Sequence, residues 1–489
     1  MCKISIAKPY EICQCIFMFM SDINKKNIKF FLPSLDALSE IININSCIVN
    51  IPAIDHKDGL ATLEKINNSF MLSIETKKSM TDDFKKQFNI EMSKNGQEYI
   101  GKDALFKKEK FQLEKHNLKY TLEIKNIIKG NLKNDLYFRM VLPVKSNILC
   151  SFLLPIQSFN WEEAICTGLI KTHINNFIFD IFEVSYNNLY YLVIDCSSKS
   201  NINDFYNQSI SISVVLGFFT SFFRQDECFI LGSLDKDYHS IDFLEFRSLR
   251  ESIIIQFRFL EYNSYDVYDI KDAVSQLDNM PKIQQEPFDT LINLCYNNIE
   301  ILNCLFVFIV SSCYPLDTKP ACLAVVMEGI CNYILKQNEE RLNPIKDKNV
   351  AKEIRKKLID LLNDYKDIID KDDLSTLVKR IDNLNQPTNT EKLKKPYELL
   401  GIKLKDYEIK AIENRNNFLH ANLQFEIGRD INNISSIAHQ LFFTCNVLER
   451  LFYKLVLKLI NYKGTMLNNI KILEHIFGSF PDENPLIWL

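Results

Sequence analysis

The chain has 489 residues, of which 47% are hydrophobic and 25% are charged, and its formal net charge is -4. This length is sufficient for two or more domains, each with its own hydrophobic core. A net charge this close to zero excludes a uniformly basic nucleic-acid-binding protein, so any nucleic-acid site has to be a local patch.

The N-terminal region shows no targeting or membrane signal. The apolar run Cys15–Met20 follows two lysines, but Glu11 intervenes and no small-residue cleavage site follows, which favours a strand over a signal peptide. No later apolar run reaches the roughly 18–20 residues of a membrane helix. With no secretory signal, the fourteen cysteines are expected to be reduced thiols. We therefore expect a cytoplasmic protein that does not associate with membranes.

Residues 1–135 are predicted to form a β-rich N-terminal domain. Short apolar or alternating runs separated by polar turns are typical of strands. These runs are Ile12–Met20, Ile28–Leu32, Ser46–Ile51, Gly59–Leu63, Phe70–Ile74 and Tyr120–Ile128. The pattern of Thr81–Asn117 is highly charged and fits either a helix or a loop.

Residues 136–280 are predicted to continue this N-terminal module with mixed α and β structure. Strand-like runs alternate with Trp161–Leu169 and Ser209–Phe223, which we interpret as helices packed on the sheet. The lack of a regular strand–helix–strand alternation indicates a mostly antiparallel sheet. A polar segment with two prolines, Asp266–Phe288, marks the main domain boundary.

Residues 287–489 are predicted to form an all-helical domain, because the hydrophobic period changes there from two to about three and a half. The candidate helices are Phe288–Ser312, Lys319–Glu340, Asn349–Asp370, Asp373–Asn383, Lys405–Leu423 and Ile431–Tyr462. Gln386–Thr390 is interpreted as a loop. The expected fold class is α+β with several domains, in which a β-rich N-terminal region precedes an all-α helical bundle.

Arg415, Asn416 and His420 occur together in the predicted helix Lys405–Leu423. Asn416 and His420 are four residues apart and so share one face of such a helix, with Arg415 on the flank of that face. An arginine that stays charged, a histidine that titrates near neutral pH and an amide between them suit chemistry on a phosphodiester. The alternative is structural: Arg415 would pair with a neighbouring acid, and His420 would pack in the core.

The pattern Arg415-Asn416-x-x-x-His420 resembles the signature of the HEPN superfamily, in which four to six residues separate an arginine from a histidine. The setting of the pattern on a late helix, ahead of one long helix, is also similar. Within that superfamily the chain most resembles the ApeA-type anti-phage effectors, which carry a β-rich domain ahead of the helical one. Ala421 stands where many relatives have glycine.

This resemblance implies a metal-independent endoribonuclease that acts as a homodimer through its helical domain. His420 would exchange protons with the 2′-OH or the leaving 5′-oxygen, Arg415 would bind the phosphate, and Asn416 would orient the imidazole or the phosphate. The partners implied are RNA, with transfer RNA as one candidate, and a phage or cellular trigger recognised by the N-terminal domain. No cofactor is implied. No acidic or histidine cluster at metal-ligand spacing is apparent either, so no metal site is predicted.

Two further features are candidates for supporting roles. Glu328 lies in an apolar helical run, where a lone carboxylate is costly; it either pairs with Arg415 or faces solvent. Lys352, Arg355 and Lys356 belong to a basic stretch that either follows an RNA backbone or is simply a solvated helix face.

Two other classes of function stay open from the sequence. A non-catalytic scaffold of the same helical type would bind nucleotides, RNA or a protein partner, and would leave RNA intact. A metal-dependent hydrolase built on the N-terminal domain would lose its activity in a chelator.

Overall fold

The computed structural model describes residues 31–52, 56–76, 87–112, 117–132, 135–144, 159–161, 164–186, 189–223, 225–255, 283–338, 343–414, 434–478 and 482–489. The chain divides into two compact units, Met1–Asn297 and Asn298–Leu489. The predicted order, a β-rich N-terminal region followed by a helical C-terminal region, is confirmed.

The described part of the first unit contains sixteen strands and three helices. The strands are β1 (Ser46–Ile51), β2 (His56–Ile66), β3 (Ser69–Thr76), β4 (Phe88–Lys94), β5 (Gln97–Gln112), β6 (Asn117–Ile124), β7 (Asn126–Gly130), β8 (Tyr137–Val144), β9 (Phe159–Trp161), β10 (Ala164–Ile174), β11 (Phe177–Tyr186), β12 (Leu189–Cys196), β13 (Phe222–Phe223), β14 (Glu227–Ser233), β15 (Phe243–Ser248) and β16 (Ile253–Ile254). The helices are α1 (Leu32–Ile42), α2 (Ile202–Thr220) and α3 (Gln285–Asn297).

Fourteen of these strands form one antiparallel sheet, in the order β4-β1-β2-β3-β6-β5-β7-β15-β14-β8-β12-β11-β10-β9. An additional pairing between β4 and β5 closes the first six strands of this order into a barrel. The sheet combines strands from both predicted N-terminal segments, 1–135 and 136–280.

The long strand β5 joins the barrel to the rest of the sheet. Its first half, around Tyr99–Lys102, pairs with β4 and with β7, whereas its second half, Leu105–Gln112, pairs with β6. Register shifts fall opposite Gly101–Ala104 in the pairing with β4 and between Phe106 and Lys108 in the pairing with β6, and breaks of this kind bend a strand. Since Lys125 alone separates β6 from β7, these two short strands follow β5 along its whole length.

Alternating side chains explain why these segments form strands around a core. In β1, Cys47, Val49 and Ile51 are buried, whereas Ser46 and Ile48 are exposed. This two-residue period places one side of the strand in the interior. The same core receives side chains from α1, β2, β3 and β6 and from the open part of the sheet.

The segment Thr81–Asn117, whose pattern fitted a helix or a loop, contains strands β4 and β5. Asn95 and Gly96 connect them, and both have positive φ angles of 52° and 77°. A two-residue turn with both central residues at positive φ is the preferred connection of a β-hairpin, and Asn-Gly is its preferred sequence.

The predicted helix Trp161–Leu169 is wrong. Ala164–Ile174 is strand β10, which pairs antiparallel with β11 along almost its whole length and with β9 at its start. Pairing of β10 with β9 and β11, its neighbours in sequence, overrides a helical pattern that is only nine residues long.

The predicted helix Ser209–Phe223 is confirmed from Ser209 to Thr220, within α2, whereas its last two residues form strand β13. The helix α2 begins earlier, after Asn201, whose side chain accepts a hydrogen bond from the backbone N–H of Asn203. In the same unit α3 lies against β10, where Thr172 Oγ1 donates to Asp289 at 2.5 Å and Asn293 Nδ2 donates to the His173 carbonyl at 2.7 Å.

The described part of the second unit is mainly helical. Its helices are α4 (Ile299–Ser311), α5 (Lys319–Lys336), α6 (Lys348–Asn363), α7 (Lys371–Asp382), α8 (Asn389–Leu399), α9 (Asp406–Glu413), α10 (Ile434–Leu459), α11 (Asn469–Ile472) and α12 (Glu474–Phe477). A short pair of strands, β17 (Thr465–Leu467) and β18 (Leu486–Trp488), follows the long helix α10.

Two predictions in this region, one of a helix and one of a loop, are wrong. The predicted helix Phe288–Ser312 is broken at Asn298, which has an extended backbone (φ -134°, ψ 97°). The predicted loop Gln386–Thr390 contains the start of α8, where Thr388 and Glu391 form a reciprocal capping box.

The second unit has its own core, which packs α4 and α5 against α10. The Phe308 ring stacks on Phe452 with centroids 4.5 Å apart and meets Tyr453 edge-on at 5.3 Å. Within the described residues, no single helix is both long and apolar enough to cross a membrane; only α3 and α4 taken together, across their break, reach that length and hydropathy.

Candidate active site

The predicted catalytic residues Arg415, Asn416 and His420 lie outside the described residues. The structure describes the helices on either side of them in the chain: α9, which ends at Glu413, and α10, which begins at Ile434. The contacts of α9 and α10 therefore show how the chain is held before and after these three residues.

A buried ionic cluster fixes α9 to α10. Glu408 of α9 is fully buried and accepts hydrogen bonds from Arg450 and Lys454 of α10, each at 2.8 Å. Arg450 and Lys454 are four residues apart and so project from one face of their helix. Charges in the interior are tolerated only when they are paired and hydrogen-bonded, and each of these three has such a partner.

Glu483, from the C-terminal segment, completes this cluster. Its carboxylate accepts hydrogen bonds from Lys405 at 2.8 Å, from Asn468 at 2.7 Å and from Arg450 at 3.1 Å. Tyr407 also contacts both Glu483 and Arg450. The start of α9, the middle of α10 and the C-terminal segment are thus held at one point.

The balance between burial and these partners sets the ionisation of the cluster. Burial by itself would raise the pKa of Glu408, but Lys454 and Arg450 lower it below its ordinary value. Burial likewise opposes ionisation of Glu483, yet hydrogen bonds from Asn468, Lys405 and Tyr407 lower its pKa to about 2. Both carboxylates are therefore ionised at neutral pH.

A second buried pair lies between α5 and α10. Lys319 and Glu449 meet at 2.7 Å, and the side chains are 7% and 3% exposed. Burial raises the pKa of Glu449 even though Lys319 opposes the rise. This pair joins α10 to the start of α5. Two separate groups of buried charges therefore fix α10, one to α5 and one to α9 and the C-terminal segment.

Glu328, the predicted support for Arg415, is half-buried on α5. Because Arg415 lies outside the described residues, their pairing stays a prediction.

Lys352, Arg355 and Lys356 are all exposed on α6. Their spacing of three and four residues places them on one side of the helix, and Arg355 also forms an exposed ion pair with Asp382 of α7 at 3.1 Å. The stretch is accessible to a partner such as RNA, and its binding role stays a prediction.

The sequence reasoning overlooked one possible metal-ligand set. Asp235, Asp237 and His239, in the loop between β14 and β15, place one ligand atom each within 4.8 Å of one another. Their alternate spacing was visible in the sequence. Asp235 already accepts hydrogen bonds from the backbone of Asp237 and contacts the His239 ring directly, so hydrogen bonding is enough to explain why they lie together.

The buried cluster around Glu408 was also missed, since nothing in the sequence pairs Glu408 with Arg450 or Glu483. Comparisons of the chain with models of protein families, with curated proteins and with solved structures give no match.

Proposed function

We propose that the chain is a cytoplasmic, metal-independent endoribonuclease that cleaves RNA by attack of a 2′-OH on the adjacent phosphate. Such cleavage leaves a 2′,3′-cyclic phosphate and a 5′-OH. The observation that carries the proposal is the pattern Arg415-Asn416-x-x-x-His420, which begins two residues after α9 in a helical unit.

The residue types suit this reaction because RNA carries its own nucleophile. His420 would move a proton to or from the reacting oxygens, since imidazole titrates near neutral pH. Arg415 would bind the phosphate and stabilise the charge that develops on it. Asn416 would orient the His420 ring or donate a hydrogen bond to the phosphate.

The buried cluster supports the proposal because it fixes α9, the helix that precedes the motif in the chain. A catalytic group must be held within a fraction of an ångström of its productive position, so it is best placed beside an element that is itself fixed. Glu408, seven residues before Arg415, is held by two cations of α10.

Acid and base catalysis together need two proton-transferring groups, and one motif supplies one histidine. A two-fold homodimer formed through the helical unit would supply the second. The β-rich first unit would then respond to a phage or cellular trigger and keep the nuclease inactive until the trigger arrives, as expected of an anti-phage effector.

The test is cleavage of a mixture of transfer RNA and total RNA by the purified full-length chain in a chelator. When a cell extract that contains the trigger is added, we expect the wild type to produce cyclic-phosphate ends, and Arg415→Ala and His420→Ala to be slower on the order of 10²–10⁴-fold. His475→Ala is the matched control, because His475 is exposed on α12 and lies in the same unit.

Hydrogen exchange of α9 and α10 should be the same in all four proteins, which separates loss of chemistry from loss of fold. Equal cleavage by His420→Ala and the wild type would refute the catalytic assignment. If the RNA stays intact with every protein, both with and without an added cell extract that contains the trigger, the result would favour the non-catalytic scaffold.

A further inference from the structure

We propose that a cleft in the second unit, between α4, α5 and the segments that begin α6 and α8, binds a nucleoside phosphate. The cleft has a volume of about 740 Å³. Pockets that bind small molecules usually enclose about 300–1,000 Å³, so the cleft can hold a ligand the size of one nucleotide.

The charges on the cleft wall favour an anion. Its charged residues are Glu300, Lys336, Lys348 and Lys392. Lys336 donates to both oxygens of Glu300, at 2.8 and 2.9 Å, so the single acid of the wall is already neutralised. The wall therefore carries two more positive charges than negative ones, in a chain whose net charge is -4. Lysine is a common phosphate-binding residue because its ammonium is a compact positive charge.

The apolar part of the wall favours a ligand with more than a phosphate. Val326 and Leu335 are buried in α5, and Val307 of α4 faces the same space. Val325, also on the wall, is 54% exposed. Covering an apolar surface of this kind with a ring or a sugar face is favourable because it removes the surface from water, whereas inorganic phosphate would leave the surface exposed to water.

Carboxamides complete the wall. Asn303, Asn332 and Gln386 line the cleft, and their side chains form no hydrogen bond with any other described residue. Each amide offers donors and an acceptor, which suits the mixed edge of a heterocyclic base. The cleft thus combines the three features that recognise a nucleoside phosphate: cations, an apolar face and amides.

The described residues on the cleft wall include none of the basic residues Lys352, Arg355 and Lys356. Ligand binding in the cleft and cleavage of RNA are also measured by separate readouts, so each of the two proposals can fail without the other.

Cys304 offers a direct test, because this half-buried thiol lines the cleft while the exposed Cys313 does not. The full-length chain is alkylated with N-ethylmaleimide, alone or with inorganic phosphate, adenosine or adenosine monophosphate, and each site is followed by mass spectrometry. Mildly alkaline pH is needed, since burial raises the pKa of Cys304 to about 11 and only the thiolate reacts.

We expect adenosine monophosphate to slow the alkylation of Cys304 several-fold and to leave Cys313 unchanged, with weaker protection by adenosine or phosphate alone. Lys348→Gln and Lys392→Gln should each weaken this protection on the order of tenfold, because hydrogen bonds to charged groups are the stronger ones. Lys366→Gln, at an exposed position after α6 and outside the cleft, should leave protection as in the wild type.

Equal protection by adenosine and adenosine monophosphate would overturn the assignment of a phosphate site. Lack of protection by all three probes at millimolar concentration would overturn the ligand site altogether.

Discussion

Arg450 and Glu408 form a salt bridge at 2.8 Å in the interior of the helical unit, where their side chains are 1% and 0% exposed. Glu408 lies on α9, the last described helix before the proposed catalytic residues, and Arg450 lies on the long helix that follows them. The pair therefore links the two helices between which the Arg415–His420 segment runs.

Arg450→Met is expected to destabilise the second unit by about 3–5 kcal/mol, because it leaves Glu408 and Glu483 buried with fewer partners. Hydrogen exchange in α9 and α10 should show the loss. Arg355→Met is the control: its ion pair with Asp382 is about half exposed, and such pairs contribute about 0–1 kcal/mol. Equal exchange in the two variants would contradict a stabilising role for the cluster.

The second unit is expected to lose stability as the pH falls from about 4.5 toward 2. The folded state lowers the pKa of Glu483 from 4.5 to about 2, so Glu483 stabilises the fold above pH 4.5, and this contribution disappears as the folded carboxylate is protonated. Urea unfolding followed by circular dichroism at several pH values measures the effect.

Glu483→Gln should be less stable than the wild type at pH 6 and should lose less stability on acidification. Glu353→Gln should behave like the wild type, because Glu353 and its partner Lys357 are both exposed. If the stability of Glu483→Gln falls with pH as steeply as that of the wild type, groups other than Glu483 cause the acid sensitivity.

Alanine at both Lys352 and Lys356 is expected to make RNA binding less sensitive to salt. For single-stranded RNA the logarithm of affinity falls with the logarithm of salt concentration by about 0.7 for each phosphate contact, so the slope should shrink by about 1.4. Binding is measured in a His420→Ala background to prevent cleavage. A Lys366→Ala, Lys371→Ala double variant serves as the control, and an unchanged slope in the test variant would mark α6 as a solvated face.

Gly217→Ala is expected to destabilise the first unit by about 1–3 kcal/mol. A Cβ at this position would lie 2.9 Å from the Cβ of Phe223 and 3.1 Å from its Cα, so the backbone of the following turn would have to move. This cost exceeds the gain of about 0.5–1 kcal/mol from replacing glycine in a helix. Asn203→Ala is the control, because Asn203 is exposed near the start of the same helix, and it should change the midpoint of urea unfolding little. If the Gly217→Ala protein is as stable as the wild type, the turn adapts to the added methyl group.

Local signals in the sequence accounted for much of the fold. Alternation predicted strands such as Ser46–Ile51, and the apolar run Ser209–Phe223 correctly predicted a helix. Asn95-Gly96 is a hairpin signal by its turn chemistry, but the surrounding segment Thr81–Asn117 was predicted only as a helix or a loop because of its many charges.

The remaining errors arose where tertiary contacts or a single residue decide the structure. Ala164–Ile174 is a strand because β11, the next segment of the chain, pairs with it. The predicted helix Phe288–Ser312 breaks at one extended residue, Asn298, and no proline or glycine at that position signals the break. In the candidate site, the pairing of Glu408 with Arg450 spans 42 residues of chain. Periodicity identifies which faces are apolar, but it does not say which buried charges meet.

The closure of β4 onto β5 has a consequence for association between chains. An open sheet ends in two edge strands, whose unpaired backbone groups can pair with another molecule. Here the strand order ends at β4 and β9, and β4 is already paired on both sides. At the other end of the order, β9 is three residues long and pairs only with Ala164–Cys166 of β10. Beyond Cys166, this edge of β10 has no strand partner among the described residues, and Gln285 and Asn293 of α3 donate hydrogen bonds to the carbonyls of Lys171 and His173 in this part of the strand. One end of the fourteen-stranded sheet is thus closed and the other is partly capped by α3, which limits edge-to-edge aggregation.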